Sequence, residues 1–580
     1  MNLKINIEKI IFTLFSGYML NSVFSVVNLN RLSRPNVVAV IIKLLICMGI
    51  MSLVNYKSIK NGKIITFLLV CIFTIRVSLK VPYISQNGGI NSVFILCIMS
   101  VFVVGTYLYM KDDINEKLTK LKIKNTKVYF GIMGIFLVFI VSIIGIARYK
   151  TYSNSTFDFG IFAQMFEYMK QTGKMDTTVE KQYLMSHLGR HFSLIFYLAL
   201  PVYMIFPHPE TLQIIQGIMI ALPLIPIYLL CKHYKIGNKT SIAIGILYVL
   251  YPAVIGGSMY DIHENCFLTF FLLMPIWAIE CDKKVLSVVM MFLALSIKED
   301  VSIYVMVLGL YYILSKRKIK KGIFLTIVSA IWFVFALSMI KHFGMDTAMD
   351  INNSLFENLM YDKNGGLIQI IWTFLDNPSY MLAQIGSGGK EKIEYLIYML
   401  LPISPLIFSI KNNYSRYILF LPFVVMNVMT SYKYLHSIEF QYNFGTIAFI
   451  IFIIILNVQE HPKKELVNKT VVSLLISGVL FVGVTIPYMN EYVPKWLFNT
   501  TKIEQMDNII KQVSEKSSVT ASGLLIPHLS KNSQLYDIEY VKDIDTDYVL
   551  IDEREHKNYD LINYEKIKEI KGLISVYKKI

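Results

Sequence analysis

The stretch Lys111-Asp112-Asp113-Ile114-Asn115-Glu116-Lys117-Leu118-Thr119-Lys120-Leu121-Lys122-Ile123-Lys124-Asn125-Thr126-Lys127 sets six lysines between two long apolar runs, Gly89 to Met110 and Val128 to Ala147. Runs of that length read as transmembrane helices, because a bilayer core about 30 Å thick takes about 20 apolar residues in a helix. Lysines collect in the short loops that remain cytoplasmic, so this stretch is predicted to be an inner loop and orients the chain on both sides of it. The following stretch, Arg148 to Arg190, then lies outside.

Composition supports a membrane protein. The chain has 580 residues, 55% of them hydrophobic, and a mean hydropathy of +0.52. That is too much contiguous apolar sequence for one water-soluble core. The net charge of +16 comes from lysines spread over short loops rather than one basic face, which argues against a nucleic-acid partner and leaves the lipid bilayer as the first partner. The six cysteines, Cys47, Cys71, Cys97, Cys231, Cys266 and Cys281, have no paired spacing and read as small hydrophobes. The first apolar run lacks a convincing cleavage site and is followed by Arg31 and Arg34, so it reads as a retained span.

Working outward, spans near Ile10 to Asn28, Asn36 to Val54 and Ile64 to Leu79 join Gly89 to Met110 in an N-terminal group, 1–127, with a cytoplasmic N-terminus. Downstream, the basic loop Cys231 to Lys235 is again predicted inside, so Leu212 to Leu230 runs inward and His191 to Pro207 cannot cross. The economical reading is a helix begun at Phe192 to Tyr197, lying in the outer interface and interrupted by Pro201 and Pro207. Spans at Ser241 to Ile255, Cys266 to Glu280, Val285 to Ile297, Val301 to Leu314 and Ile323 to Ile340 then alternate. A long outer loop, 341–394, carries the breaker Gly386-Ser387-Gly388-Gly389. Spans at Tyr395 to Ile410, Tyr417 to Thr430, Phe444 to Val458 and Thr470 to Pro487 complete an α-helical polytopic membrane protein of about 15 transmembrane helices. Its core is 128–488, with outer loops at 148–210 and 341–394.

The remainder, 489–580, reads as a small extracytoplasmic α/β domain. Thr501 and Glu504 are spaced as a capping box, and Ile503, Met506, Ile510 and Val513 recur at helical spacing. Ser518-Val519-Thr520, Gln534-Leu535-Tyr536 and Tyr548-Val549-Leu550-Ile551 are β-prone. Either a cover for a site or a stabilising appendage fits this domain.

Four ionisable clusters fall on the outer side. Asp158, between Phe157 and Phe159, suits a general base whose pKa is moved by burial or a partner, or else a helix N-cap. His187 and His191 are four apart and, with Arg190 beside them, suit an anion or a metal ion alike, although Gly189 weakens a shared helix; a plain interfacial pair also fits. Asp261, His263 and Glu264 occupy a loop so short that partners or water are required. Lys298, Glu299 and Asp300 pose the same requirement, and mutual pairing in a structural plug would satisfy it too. His436, Glu439 and Tyr442 form a weaker set that reads as lining the same cavity or as a solvated loop.

These motifs resemble those of a prokaryotic membrane family, domain of unknown function 2079. The resemblance rests on Phe157-Asp158-Phe159-Gly160-Ile161-Phe162, Arg190-His191-Phe192-Ser193, the Gln216 to Pro226 span, Asp261-Ile262-His263-Glu264-Asn265 and Ile297-Lys298-Glu299-Asp300. In the tail it rests on Ser518 to Ala521, Ile526 to Ser530 and Asp547 to Asp552, so it covers about Val128 to Asp552. The family resembles the GT-C glycosyltransferase superfamily, which implies a catalytic acid in the first large outer loop, a second acidic motif in the next, and a polyprenyl-phosphate sugar donor. Many GT-C enzymes carry an acidic pair in the first loop, whereas here the next acid after Asp158 is Glu167.

The resemblance implies an inverting transfer of sugar to a glycan, lipid or protein acceptor at the outer face of a bacterial plasma membrane. Asp158 would be the base, and His191, His263 and Lys298 would hold the departing phosphate. Asp261, Glu264, Glu299 and Asp300 would position these groups or bind a divalent ion such as Mg or Mn, and Tyr152 and Tyr260 would stack on sugar rings. The Lys-, Ile- and Asn-rich usage points to an AT-rich bacterial genome. The alternatives are a transporter or flippase of a polar or lipid-linked substrate, against which stands the lack of an inverted repeat, and a non-catalytic membrane scaffold.

Overall fold

A computed structural model describes the chain except for residues 1, 26, 28–35, 82–89, 345–354, 363–365, 367 and 558. In lipid, each backbone N–H and C=O must be satisfied within the protein, so the apolar runs become helices. Among the described residues, nine helices are long and apolar enough to cross a membrane, and Phe196–Ile205, Lys284–Leu295, Val301–Leu314 and Tyr414–Val428 are shorter apolar segments beside them. The long members include Thr126–Lys150, Pro209–His233, Asn238–Ser258, Ile319–Gly344 and Gln441–Glu460. Residues 444–458 are buried throughout and form the axis of the body.

The six-lysine stretch is a loop only in part. Its first ten residues continue the helix Ile90–Lys120. Ile114 packs with Phe12, Tyr107 and Met110, while Asp113 pairs with Lys63 at 3.0 Å and Glu116 with Lys60 and Lys120. One apolar face and one charge-matched face therefore extend the helix beyond the apolar run.

The long loop 341–394 is also largely helical where it is described. Ile368–Asp376, Pro378–Gly386 and Gly389–Leu400 are helices, and the Gly386 to Gly389 breaker turns between the last two with Gly388 at φ +89. The expected span Tyr395 to Ile410 leaves the helix Gly389–Leu400 for short turns at Pro402 and Pro405, and Tyr417 to Thr430 is split at Pro422 into the short irregular helices Tyr414–Phe420 and Phe423–Val428, where the missing N–H groups interrupt the helical ladder.

Phe196–Ile205 has ten residues, about 15 Å of helix and about half a bilayer core, which is too short to cross. Phe196, Ala199 and Tyr203 face the protein, and Leu198, Val202 and Ile205 are exposed. Pro201 sits inside this helix instead of interrupting it. Nearby, the backbones of Gly189 and Gly344 touch: a Cβ on Gly189 would lie 2.6 Å from Gly344 Cα. This contact seats the His187 turn on the end of Ile319–Gly344.

The C-terminal unit begins with the helix Thr500–Ile510, which follows Lys463–Phe498 after the single residue Asn499. Thr501 is therefore already inside the helix, and the expected Thr501–Glu504 capping box does not form. A five-stranded sheet follows. Numbering after the short hairpin β1 (Asp176–Thr177) and β2 (Met185–Ser186), its strands are β3 (Val519–Ala521), β4 (Leu535–Asp537), β5 (Tyr548–Asp552), β6 (Tyr564–Ile570) and β7 (Ile574–Lys579), in the order β4-β3-β5-β7-β6. β3 is parallel to β4 and β5, and β7 is antiparallel to β5 and β6. Val519, Leu535, Leu550 and Ile574 share one buried cluster with Tyr152, Ile161 and Val179 of the 151–190 segment. The domain is thus built into that segment.

Candidate active site

The chain leaves Thr126–Lys150 and turns sharply before the helix Ile161–Thr172. Within that turn Asp158 has φ 63° and ψ −76°, close to the rare γ-turn geometry that a residue with a Cβ adopts only under strain. The C-terminal domain grips the turn on both sides. The Thr156 hydroxyl donates to the Asp537 carboxylate, and the Phe157 ring meets Tyr540 edge-on at 5.0 Å. Gly160 allows Ile526 to approach: a Cβ there would lie 2.8 Å from the Ile526 side chain. Just upstream, His528 is sandwiched between Tyr149 and Tyr152 at 4.2 and 3.7 Å, and Arg554 donates to the Thr151 and Tyr152 carbonyls. Strain of this kind persists only where the surroundings over-determine it.

Facing Asp158 is a ring of three histidines, each against a carboxylate. His187 Nδ1 is 3.0 Å from Glu180, His191 Nδ1 is 3.0 Å from Glu299, and His263 Nδ1 is 3.1 Å from Glu264. The rings stand close together, His187 to His191 at 6.0 Å and His191 to His263 at 6.5 Å. The Phe162 ring lies against both His187 and His263. Lys298 reaches Glu264 at 3.3 Å and lies over the Tyr442 ring, and Glu299 also accepts from the Phe192 N–H at 3.2 Å.

One cavity of about 590 Å³ joins these groups. Asp158, His187, Arg190, His191, His263, Lys298, Glu299, Asp300 and Tyr442 all line it, with Tyr260. Its far wall is apolar and includes Phe333 and Leu337 of the long helix Ile319–Gly344. His187 Nε2, Arg190 Nη1 and Asp300 Oδ1 are buried without a hydrogen-bond partner among the described residues. Such atoms are costly to leave unmet.

Other expected site residues sit behind this wall. Asp261 is buried against Arg148 at 3.1 Å and accepts from Asn154. Glu264 is fully buried behind His263 and Lys298. His436 is buried outside the cavity wall. Tyr152 is unavailable to a sugar, because it is buried between His528 and the C-terminal core. Glu180, Tyr432, Tyr434 and Gln441 line the cavity and were not singled out from sequence. Of these only Glu180 had a usable signal, as an acid seven residues before His187 in the same loop.

The electrostatics follow from burial. Asp158 keeps some surface toward the cavity, yet protein surrounds it, and this pushes its carboxyl up to about 7; Asp261 and Glu264 add to the rise, while Tyr260 and Lys298 oppose it. Burial alone would lower the Lys298 ammonium, but Glu264, then Asp300 and Glu299, hold it above its ordinary value. Burial would raise Glu264, and its cationic neighbours outweigh this and keep it ionised. Burial drives His263 well below its ordinary value, with Glu264 opposing the fall and Lys298 adding to it. His187 is raised, since Glu180 outweighs the effect of burial. Among the described residues, no group of three or more His, Cys, Asp or Glu side chains is arranged to hold a metal ion; each histidine is turned toward a carboxylate, and Lys298 stands among them.

The fold has a counterpart among solved structures. ArnT from Cupriavidus metallidurans bound to undecaprenyl phosphate is similar at a TM-score of 0.50 and 9% identity, over 78% of this chain and 98% of that one. The apo state of the same protein gives 0.43 and 9%, over 77% and 98%. The present chain is thus a multi-pass membrane protein with the fold of that structure and a small C-terminal sheet. Residues 148–571 match the family described as predicted membrane protein, DUF2079, and the chain belongs to this family. None of the curated proteins matches the sequence.

Proposed function

We propose that this protein is an integral-membrane glycosyltransferase that moves a sugar from a polyprenyl-phosphate donor to an acceptor hydroxyl at the outer face of the plasma membrane. The observation that carries this reading is the single cavity: a strained Asp158 and a cluster of Lys298, Arg190 and histidines at one end, and an apolar wall from a membrane-spanning helix along the side. A lipid-linked phosphate needs both surfaces at once. The undecaprenyl phosphate held by the ArnT structure is a ligand of that class.

In this mechanism the acceptor oxygen attacks the anomeric carbon while Asp158 takes the hydroxyl proton. The bond from that carbon to the phosphate oxygen breaks, the electron pair leaves with the phosphate, and the anomeric configuration inverts. A base poised near 7 matches the operating pH, which is the condition for efficient proton transfer. Lys298 and Arg190 face the charge that develops on the leaving phosphate, with His191 and His263 beside them. Glu264, Glu299 and Glu180 orient those groups. The Thr156–Asp537 contact and the Phe157–Tyr540 pair fix the turn that presents Asp158, so the C-terminal domain acts here as a positioning element.

The test is purified protein in lipid nanodiscs, supplied with a panel of polyprenyl-phosphate sugars and cell-envelope acceptors. Transfer with inverted configuration, read by mass spectrometry and NMR, is expected for one pairing. Failure with every donor, together with movement of the same donors across liposome membranes, would replace this reading with a flippase.

A further inference from the structure

At the end of the bundle opposite the cavity, the helices Leu268–Glu280, Lys284–Leu295 and Ile319–Gly344 leave a groove of about 470 Å³ between them. Its walls are apolar, with Met291, Phe292, Phe324, Val328 and Trp332 among them. Its mouth is basic: Lys283, Lys284, Lys320 and Lys321 stand there with the single carboxylate Asp282. Asp282 pairs with Lys321 at 2.5 Å, and Lys283 lies 4.8 Å over the Trp277 ring. Lys284 and Lys320 make no ion pair among the described residues.

The groove has a length and a floor. From Lys320 to Trp332 the helix rises about 18 Å, a little over half of a core about 30 Å thick, which is the depth of one leaflet. The far end is closed where Trp332 Nε1 donates to the Leu295 carbonyl at 2.8 Å and the Phe292 ring meets Trp332 at 5.4 Å. A basic mouth is not a general property of grooves on this protein. A larger one, about 800 Å³, between Thr126–Lys150 and Pro209–His233 has Lys127 as its one charged lining residue.

We propose that the smaller groove is a binding site for an anionic glycerophospholipid of the adjoining leaflet, with one acyl chain along Phe324, Val328 and Trp332 and the phosphate headgroup among the four lysines. Charge complementarity at the mouth and one-leaflet depth select this occupant over a neutral lipid or a peptide. The proposal is independent of the transfer chemistry assigned to the opposite end.

Native mass spectrometry of the full-length protein in mild detergent, titrated with phosphatidylglycerol or phosphatidylcholine, tests it. The parent should retain phosphatidylglycerol preferentially. The double variant Lys284→Gln/Lys320→Gln should lose about thirtyfold in affinity for phosphatidylglycerol, the effect of removing two charges near an anionic headgroup, with an unchanged melting temperature. Lys127→Gln at the larger groove should retain phosphatidylglycerol as the parent does. Glycerol phosphate at millimolar concentration should not displace the lipid, because it lacks the chain that fills the groove. Equal retention of the two lipids by the parent, parental retention by the double variant, or displacement by glycerol phosphate would each overturn the proposal.

Discussion

Buried charge occurs at both ends of the helical bundle, and the two ends use it differently. At the end opposite the cavity, Glu280 accepts from Tyr234 at 2.8 Å and from Lys316 at 2.9 Å, while Arg416 pairs with Glu460 and donates to Asn457 at 3.0 Å. These groups tie one helix to the next. At the cavity end, Glu264, Glu299 and Glu180 are also paired, but their histidine and lysine partners line an open cavity, and Asp158 stands there in a strained turn with no ion-pair partner among the described residues. Ionic residues inside a membrane protein are therefore a weak guide to function by themselves, since a pair can simply be structural. A shared cavity lined by the charged groups themselves separates the cavity end from the tied one.

That contrast can be broken by mutation. Asp158→Asn keeps the size of the side chain and removes the base, and the transfer rate should fall by about 10²–10⁴ with little change in melting temperature. Lys298→Met removes the cation facing the leaving phosphate and should cost about 10²–10³ in rate. It also leaves buried Glu264 with His263 as its one remaining ion-pair neighbour among the described residues, so a stability loss of up to about 3–5 kcal/mol should appear in thermal unfolding.

The pH profile sharpens the comparison. The base acts when deprotonated, and burial holds the Asp158 carboxyl at about 7. The transfer rate at subsaturating substrate should therefore fall about tenfold per pH unit below 7 and level off above it. A profile flat from pH 5 to 8 would remove Asp158 from that role.

Two smaller effects probe the surroundings. Asp537→Asn or Thr156→Val loosens the turn without touching the cavity and should lower kcat several-fold at unchanged KM, with Thr156→Ser restoring the parental value. At the tied end, Glu280→Gln should lower the melting temperature through loss of about 1–3 kcal/mol and leave the transfer rate as it was.

Much of this contrast was legible in the sequence. The four clusters bracketing the apolar runs did converge, because short loops between antiparallel helices have little choice of where to lie. Three β-prone runs in the tail became β3, β4 and β5 for a similar local reason. The hairpin β6–β7 was missed: Glu565, Lys566, Lys568 and Glu569 are exposed on an edge strand that buries little, so no apolar alternation announces it. Glu180 was missed because its pairing with His187 depends on the β1–β2 hairpin folding back, and Tyr152 was misread because its cover comes from His528, far along the chain. The lysine stretch misled because helix and loop are both compatible with basic residues; the acids that pair with Lys60 and Lys63 decide it.

The most direct test is a side-by-side rate measurement on Asp158→Asn and Glu280→Gln, each in nanodiscs with a polyprenyl-phosphate sugar that the parent uses, at equal amounts of folded protein. A loss of at least a hundredfold in the first and none in the second is the expected result. Parental transfer by Asp158→Asn, or equal losses in both variants, would contradict the assignment of catalysis to the cavity end.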